Sequence, residues 1–281
     1  DMRIIYIEFG ISKSCNLEGN CMSMLFGDEA ADNNSLEGKS YAFYDLFNGC
    51  TTIKSVSSGF LPAATLANYC YAYMFSGCTS LTQAPELPAT TLAKNCYRNM
   101  FSGCTNLTQA PELPATTLVN YCYSSMFQGC SSLTTAPSLP ATTLAVNCYR
   151  AMFSGCSGLT TAPVLSATTL ANWCYGEMFL GCTSLTTAPE LPATALTNGC
   201  YDSMFKNCTN LRYIKAMFTT TPSTSYTNNW VSGVETSGRF VMNSAATWSP
   251  DDYRGQAYGI PQNWVVEDEN GNELSRPEWA D

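Results

Sequence analysis

A 26-residue unit recurs six times between Pro62 and Met217. The copies run 62–87, 88–113, 114–139, 140–165, 166–191 and 192–217, and the second reads PATTLAKNCYRNMFSGCTNLTQAPEL. Self-similarity at a fixed period of this length marks an array in which each unit packs mainly on its neighbours. The chain of 281 residues is therefore expected to form one elongated domain with modified ends.

Each unit divides in two. In 91–104 the recurrent apolar residues are Leu92, Cys96, Tyr97, Met100 and Phe101, a spacing that predicts an amphipathic helix. Thr90 and Thr91 supply an N-cap oxygen, and Gly103 suits a left-handed C-terminal residue. The other half, Leu107–Pro114, is short and carries two prolines, so it predicts one short strand or extended segment per coil. Strands at about 4.8 Å spacing and helices needing about 8–10 Å would force the stack to curve. The expected class is α/β: a repeat solenoid with one short strand and one short helix per coil.

The flanks are less regular. Residues 1–40 read as an N-terminal cap with a strand at Arg3–Phe9 and a worn half-repeat at Asn20–Gly27. Residues 41–217 are the array, regular from Pro62. Residues 218–281 read as a β-rich C-terminal cap, with strands at Arg239–Asn243 and Asn263–Glu267 and a hairpin signal at Asn270-Gly271.

Composition narrows the function. Charged residues make up 12% and net charge is −9. An acidic chain without a basic run does not suit phosphate backbones or anionic lipid. No run of 18 apolar residues is present to span a membrane. The chain opens at Asp1 with no visible signal peptide, so an upstream segment removed by processing is expected. There is no histidine, which removes Ser-His-Asp and Cys-His catalysis and histidine metal sites. No C-x2-C spacing favours zinc. The acidic loops at Gly27–Asn34 and Glu267–Glu273 lack the spacing of a calcium loop and read as solvated turns. No enzyme, cofactor or metal is expected.

Twelve of the fifteen cysteines form two rows at fixed repeat phase, the Cys96 row and the Cys104 row. They read either as buried free thiols, which pack as small hydrophobes, or as partners in some bridges between coils. Thiol titration of the unfolded chain without reductant separates the two.

The variable positions are where recognition is sought. At the Asn95 phase the residues alternate: Tyr69, Asn95, Tyr121, Asn147, Trp173, Gly199. Arg98 and Arg150 stand three residues after the intervening asparagines. Aromatic platforms with guanidinium groups between them would hold a sugar or a protein. The competing reading is that each aromatic fills a groove between adjacent helices. On the strand side the row Gln83, Gln109, Thr135, Thr161, Thr187 and the acids Glu86, Glu112 and Glu190 form a second candidate face. Acids projecting alike from stacked coils do not make the close pair of differing environments that glycosidase chemistry needs.

The unit FSGCTSLT at Phe75–Thr82, with Pro88 and Thr91, resembles the BspA-like leucine-rich repeats of bacterial surface proteins, in a longer variant carrying CYxxMF at Cys96–Phe101. The likeness covers roughly 41–217. It implies a right-handed α/β solenoid, export to the cell surface or outside, adhesion or protein binding, and no catalytic residues. Together these readings lead to a monomeric, secreted or cell-surface binding scaffold for an extracellular protein or glycan. The alternative is a passive spacer displaying another domain.

Overall fold

Where the sequence spacing predicts a helix, each coil folds into a ribbon of linked β-turns. The computed structural model describes residues 14–275, so the strand expected at Arg3–Phe9 lies outside the described residues. In the coil around Cys96 the amide groups alternate between two kinds of partner. Cys96, Arg98, Met100, Ser102 and Cys104 donate to the carbonyls three residues earlier, at 3.1–3.2 Å. Asn95, Tyr97, Asn99, Phe101 and Gly103 donate to Asn120, Cys122, Ser124, Met126 and Gln128 of the next coil, at 2.7–3.3 Å. Every amide from Asn95 to Cys104 is thereby paired, as buried backbone requires.

The dihedrals explain why this is no helix. Asn95, Asn99 and Gly103 have φ of 58°, 54° and 75°. A left-handed residue every fourth position breaks an α-helix but suits the third position of a type II turn. Side-chain direction then repeats every four residues. The pairs Cys96–Tyr97 and Met100–Phe101 face inward, while Arg98–Asn99 and Ser102–Gly103 face outward. Four residues is close to the helical period, which is why the apolar stripe mimics a helix. Among the described residues the α-helix is limited to α1, Ser23–Phe26, in the segment expected to be a half-repeat. The acidic loop at Gly27–Asn34 opens with a 3-10 turn, Gly27–Asp32.

The inward residues stack in columns. Tyr97, Tyr123 and Tyr149 lie 5.8–5.9 Å apart, ring over ring, and so do Phe75, Phe101, Phe127 and Phe153 at 5.7–5.8 Å. Trp230 lies against both Tyr201 and Phe205, where the two columns end. Leu81, Leu107, Leu133, Leu159, Leu185 and Leu211 are fully buried beside them.

The expected strand per coil is also corrected. Between Thr65 and Thr187 the coils meet through single parallel bridges, such as Gln83 with Gln109 and Thr135 with Thr161. A second set pairs Thr65 with Thr91 and Thr117 with Thr143. Proline two residues after the first set (Pro85, Pro111, Pro137, Pro163, Pro189) has no N–H, so the ladder stops there. Longer strands form where that proline is missing. At one end β1 (Cys15–Leu17) pairs in parallel with β2 (Ile53–Val56). At the other, β3 (Tyr213–Ala216), β4 (Gly238–Met242) and β5 (Trp264–Asp268) are parallel, and β6 (Glu273–Ser275) returns antiparallel. β4 and β5 lie where the sequence places strands, and the turn at Gly271 has φ 83°.

The 26-residue step outlasts the sequence repeat. Tyr213 pairs with Arg239, and Arg239 with Val265. The turn ribbon also continues past residue 217: Phe205 donates to Trp230 and Asn207 to Ser232, with Asn229 and Gly233 left-handed. Asn229–Gly233, NWVSG, matches NMFSG at Asn99–Gly103 in three of five residues.

Candidate functional site

The turn ribbons expose one face and the proline segments another, and the candidate residues divide between them. On the proline side, Gln83, Glu86, Gln109 and Glu112 line one hollow of about 390 Å³, floored by Ala84, Ala110, Pro85 and Pro111. A second hollow of about 460 Å³ shares Gln109, Ala110 and Glu112 and adds Thr134, Thr135 and Pro137. All four amide and carboxylate side chains are exposed. Equal phase in stacked coils is what brings them side by side. Further along the row, Ser138 is exposed, Val164 is 78% exposed, and Glu190 is held by Lys215 at 2.8 Å. That bond to Glu190 raises the Lys215 ammonium above its ordinary value. The trough is thus acidic and amide-rich at its first coils, and Glu190 lies apart in an ion pair. Exposed Val164 is a candidate contact that pattern reading did not isolate, because it stands in a row otherwise polar.

On the ribbon face the alternation has a packing geometry. Arg98 lies over the Tyr121 ring at 5.9 Å, and Arg150 over Trp173 at 4.8 Å. Each guanidinium therefore covers the aromatic of the following coil. Arg150 also binds Glu177 at 2.7 Å. A Cβ on Gly199 would stand 2.4 Å from the Trp173 ring, and one on Gly176 would stand 2.9 Å from it. Trp173 is thus enclosed by Arg150, Gly176 and Gly199, and glycine is required for that approach. Residues three after the aromatics are small (Ala72, Ser124, Gly176), where the alternate coils carry Arg98, Arg150 and Asp202. Asn68 and Asn120, which precede Tyr69 and Tyr121, accept the amides of Lys94 and Val146 in the next coil at 3.0 and 3.2 Å. Two coils form one packing unit on this face.

The cysteine rows lie between the faces. Among the described residues all fifteen are free thiols, and thirteen are buried. In the Cys104 row each Sγ lies 3.0–3.2 Å from a phenylalanine carbonyl of the preceding coil, Cys104 on Phe75 and Cys130 on Phe101 for example. Burial pushes the Cys104, Cys156 and Cys208 thiols up to about 12, with a backbone hydrogen bond partly opposing. A thiol so disfavoured as thiolate is a weak nucleophile.

Stacked units with a continuous apolar interior and variable outer positions define a repeat protein. Residues 39–160 match, in six copies, the family model of the BspA type leucine rich repeat region. The family implies a repeat solenoid and comprises surface-associated, binding-type proteins of the cell surface or secreted space. No curated protein and no solved structure matches the chain. Among the described residues no helix is long and apolar enough to cross a membrane.

Proposed function

We propose that this chain is a non-catalytic extracellular scaffold, a monomeric solenoid that binds a protein or glycan along its proline-side trough. The observation that carries this reading is the trough itself. Gln83, Glu86, Gln109 and Glu112 are exposed and adjacent, and among the described residues their side chains make no hydrogen bond or ion pair. By contrast, Arg150 and Trp173 on the ribbon face are engaged with each other. Concave repeat surfaces present many weak polar contacts at once, which suits an extended partner. Biolayer interferometry against extracellular matrix proteins and mucin-type glycans tests it. A binder found this way should lose about tenfold or more in affinity with the Gln83→Ala/Glu86→Lys/Gln109→Ala/Glu112→Lys variant, at an unchanged melting temperature. Binding untouched by that variant moves the site elsewhere, and no binding across the panel favours the spacer.

A further inference from the structure

The first two turn ribbons carry a cluster of tyrosines: Tyr41, Tyr44, Tyr69 and Tyr73. Tyr41 stacks on Tyr69 with ring centroids 4.7 Å apart and planes 6° from parallel. Tyr44 meets Tyr41 edge-on at 5.7 Å and Tyr73 edge-on at 5.7 Å. Tyr41 is 50% exposed and the other three are half-buried.

Cover separates this cluster from the aromatics of the central coils. Tyr121 and Trp173 lie under arginines, whereas at the arginine phase of the first ribbon stands Tyr44. Tyr41 ends its column with one face on Tyr69, and among the described residues no cation lies over it. Tyr41, Tyr69 and Tyr73 have φ of 61°, 58° and 60°, a conformation that Tyr121 and Trp173 share at 61° and 57°. Bulky residues are disfavoured in this region, and such conformations gather where a side chain has a task. Other coils place Asn95, Tyr121, Asn147, Trp173 and Gly199 at the Tyr69 phase, and Asn99, Ser125, Ala151, Glu177 and Ser203 at the Tyr73 phase. Smaller residues also satisfy the ribbon, so the backbone does not require a ring at either phase.

We propose that the Tyr41 cluster is a second binding surface, which stacks the C–H face of a pyranose ring in an uncharged glycan. An aromatic face is electron-rich and attracts the weakly positive C–H bonds of a sugar. The rim supplies neutral hydrogen-bonding groups. Exposed Asn68 uses its Oδ1 on the Lys94 amide, which leaves its NH2 as a donor to a sugar hydroxyl. Lys39, the nearest cation in sequence, lies over Phe26. A net charge of −9 disfavours anionic sugars. This surface is separate from the trough and stands or falls independently of it.

The full chain is first screened on an array of neutral hexose and N-acetylhexosamine oligosaccharides. Saturation-transfer NMR and titration calorimetry then follow with each oligosaccharide that binds. Tyr41→Ala should weaken binding about tenfold at an unchanged melting temperature, while Tyr41→Phe should stay within about threefold. The Glu86→Gln/Glu112→Gln variant should bind as the parent does. If Tyr41→Ala also shifts the melting temperature, saturation transfer between tyrosine ring protons and sugar protons in the unaltered chain decides the matter. No neutral oligosaccharide binding, equal affinity of Tyr41→Ala, or loss only in the Glu86/Glu112 variant would overturn the proposal. So would a Tyr41-dependent protein partner found without any glycan binding.

Discussion

The central coils and the C-terminal segment 213–268 share a 26-residue step and little else. In the central coils the proline side makes one bridge at a time, as at Gln83 and Gln109. In the C-terminal segment the same column becomes strands of four or five residues. The phase held by Pro85, Pro111, Pro137, Pro163 and Pro189 is held there by Lys215, Val241 and Glu267. An N–H restored at that position lets the ladder continue. Repeat length thus sets register, and proline sets how much of each coil is strand. The interior differs too. The cysteine rows end at Cys208, and Trp230 closes both ring columns, with Phe240 of the strand segment edge-on to it.

The largest effect that should separate the two regions is alkaline unfolding. An ordinary thiol ionises near 9, whereas burial holds Cys104, Cys156 and Cys208 up to about 12. Folding therefore keeps these thiols protonated. The associated stability is fully present below about pH 9 and is lost as pH rises toward 12. Ionisation of these thiols in the unfolded chain opposes folding progressively through that window. Circular dichroism between pH 8 and 11 should show the cysteine-bearing array melting first; a pH-independent melt over that range would contradict the buried-thiol account. Next is Trp230→Ala, expected to cost about 3–5 kcal/mol. Urea unfolding followed by tryptophan fluorescence should also split into two steps, since Trp230 joins the columns to the strand segment. A single unchanged transition would show that the regions are coupled elsewhere.

Smaller changes probe the coils themselves. Cys130→Ala removes a buried thiol and its bond to the Phe101 carbonyl, and should cost about 1–2 kcal/mol in thermal melting. An unchanged melt would mean the row contributes only volume. The smallest expected effect is that of Pro189→Val. Thr187 and Leu191 on either side of it already bridge to Tyr213 and Ala216. The variant should join the two bridges into one strand beside β3 and shift stability by no more than about 1 kcal/mol. Amide hydrogen exchange would show new protection at 189 or 190; none would mean that something other than proline limits the strand.

The sequence by itself determined the period and the inward residues. Repetition lets each coil bury the same Leu, Cys, Tyr, Met and Phe against its neighbours, so burial follows from phase alone. It also carried a sign of the true backbone: Asn95, Asn99 and Gly103, three left-handed formers four apart, with Tyr69 and Tyr73 masking the same pattern one coil earlier. Only the tertiary structure decided between helix and turn ribbon. A four-residue period serves both, and the ribbon prevails because half its amides are satisfied by the next coil, a partner no single unit contains. The candidate surfaces divide the same way. Phase placed Gln83, Glu86, Gln109 and Glu112 together, while the covering of Trp173 and the open face of Tyr41 depend on which coil lies next to each ring.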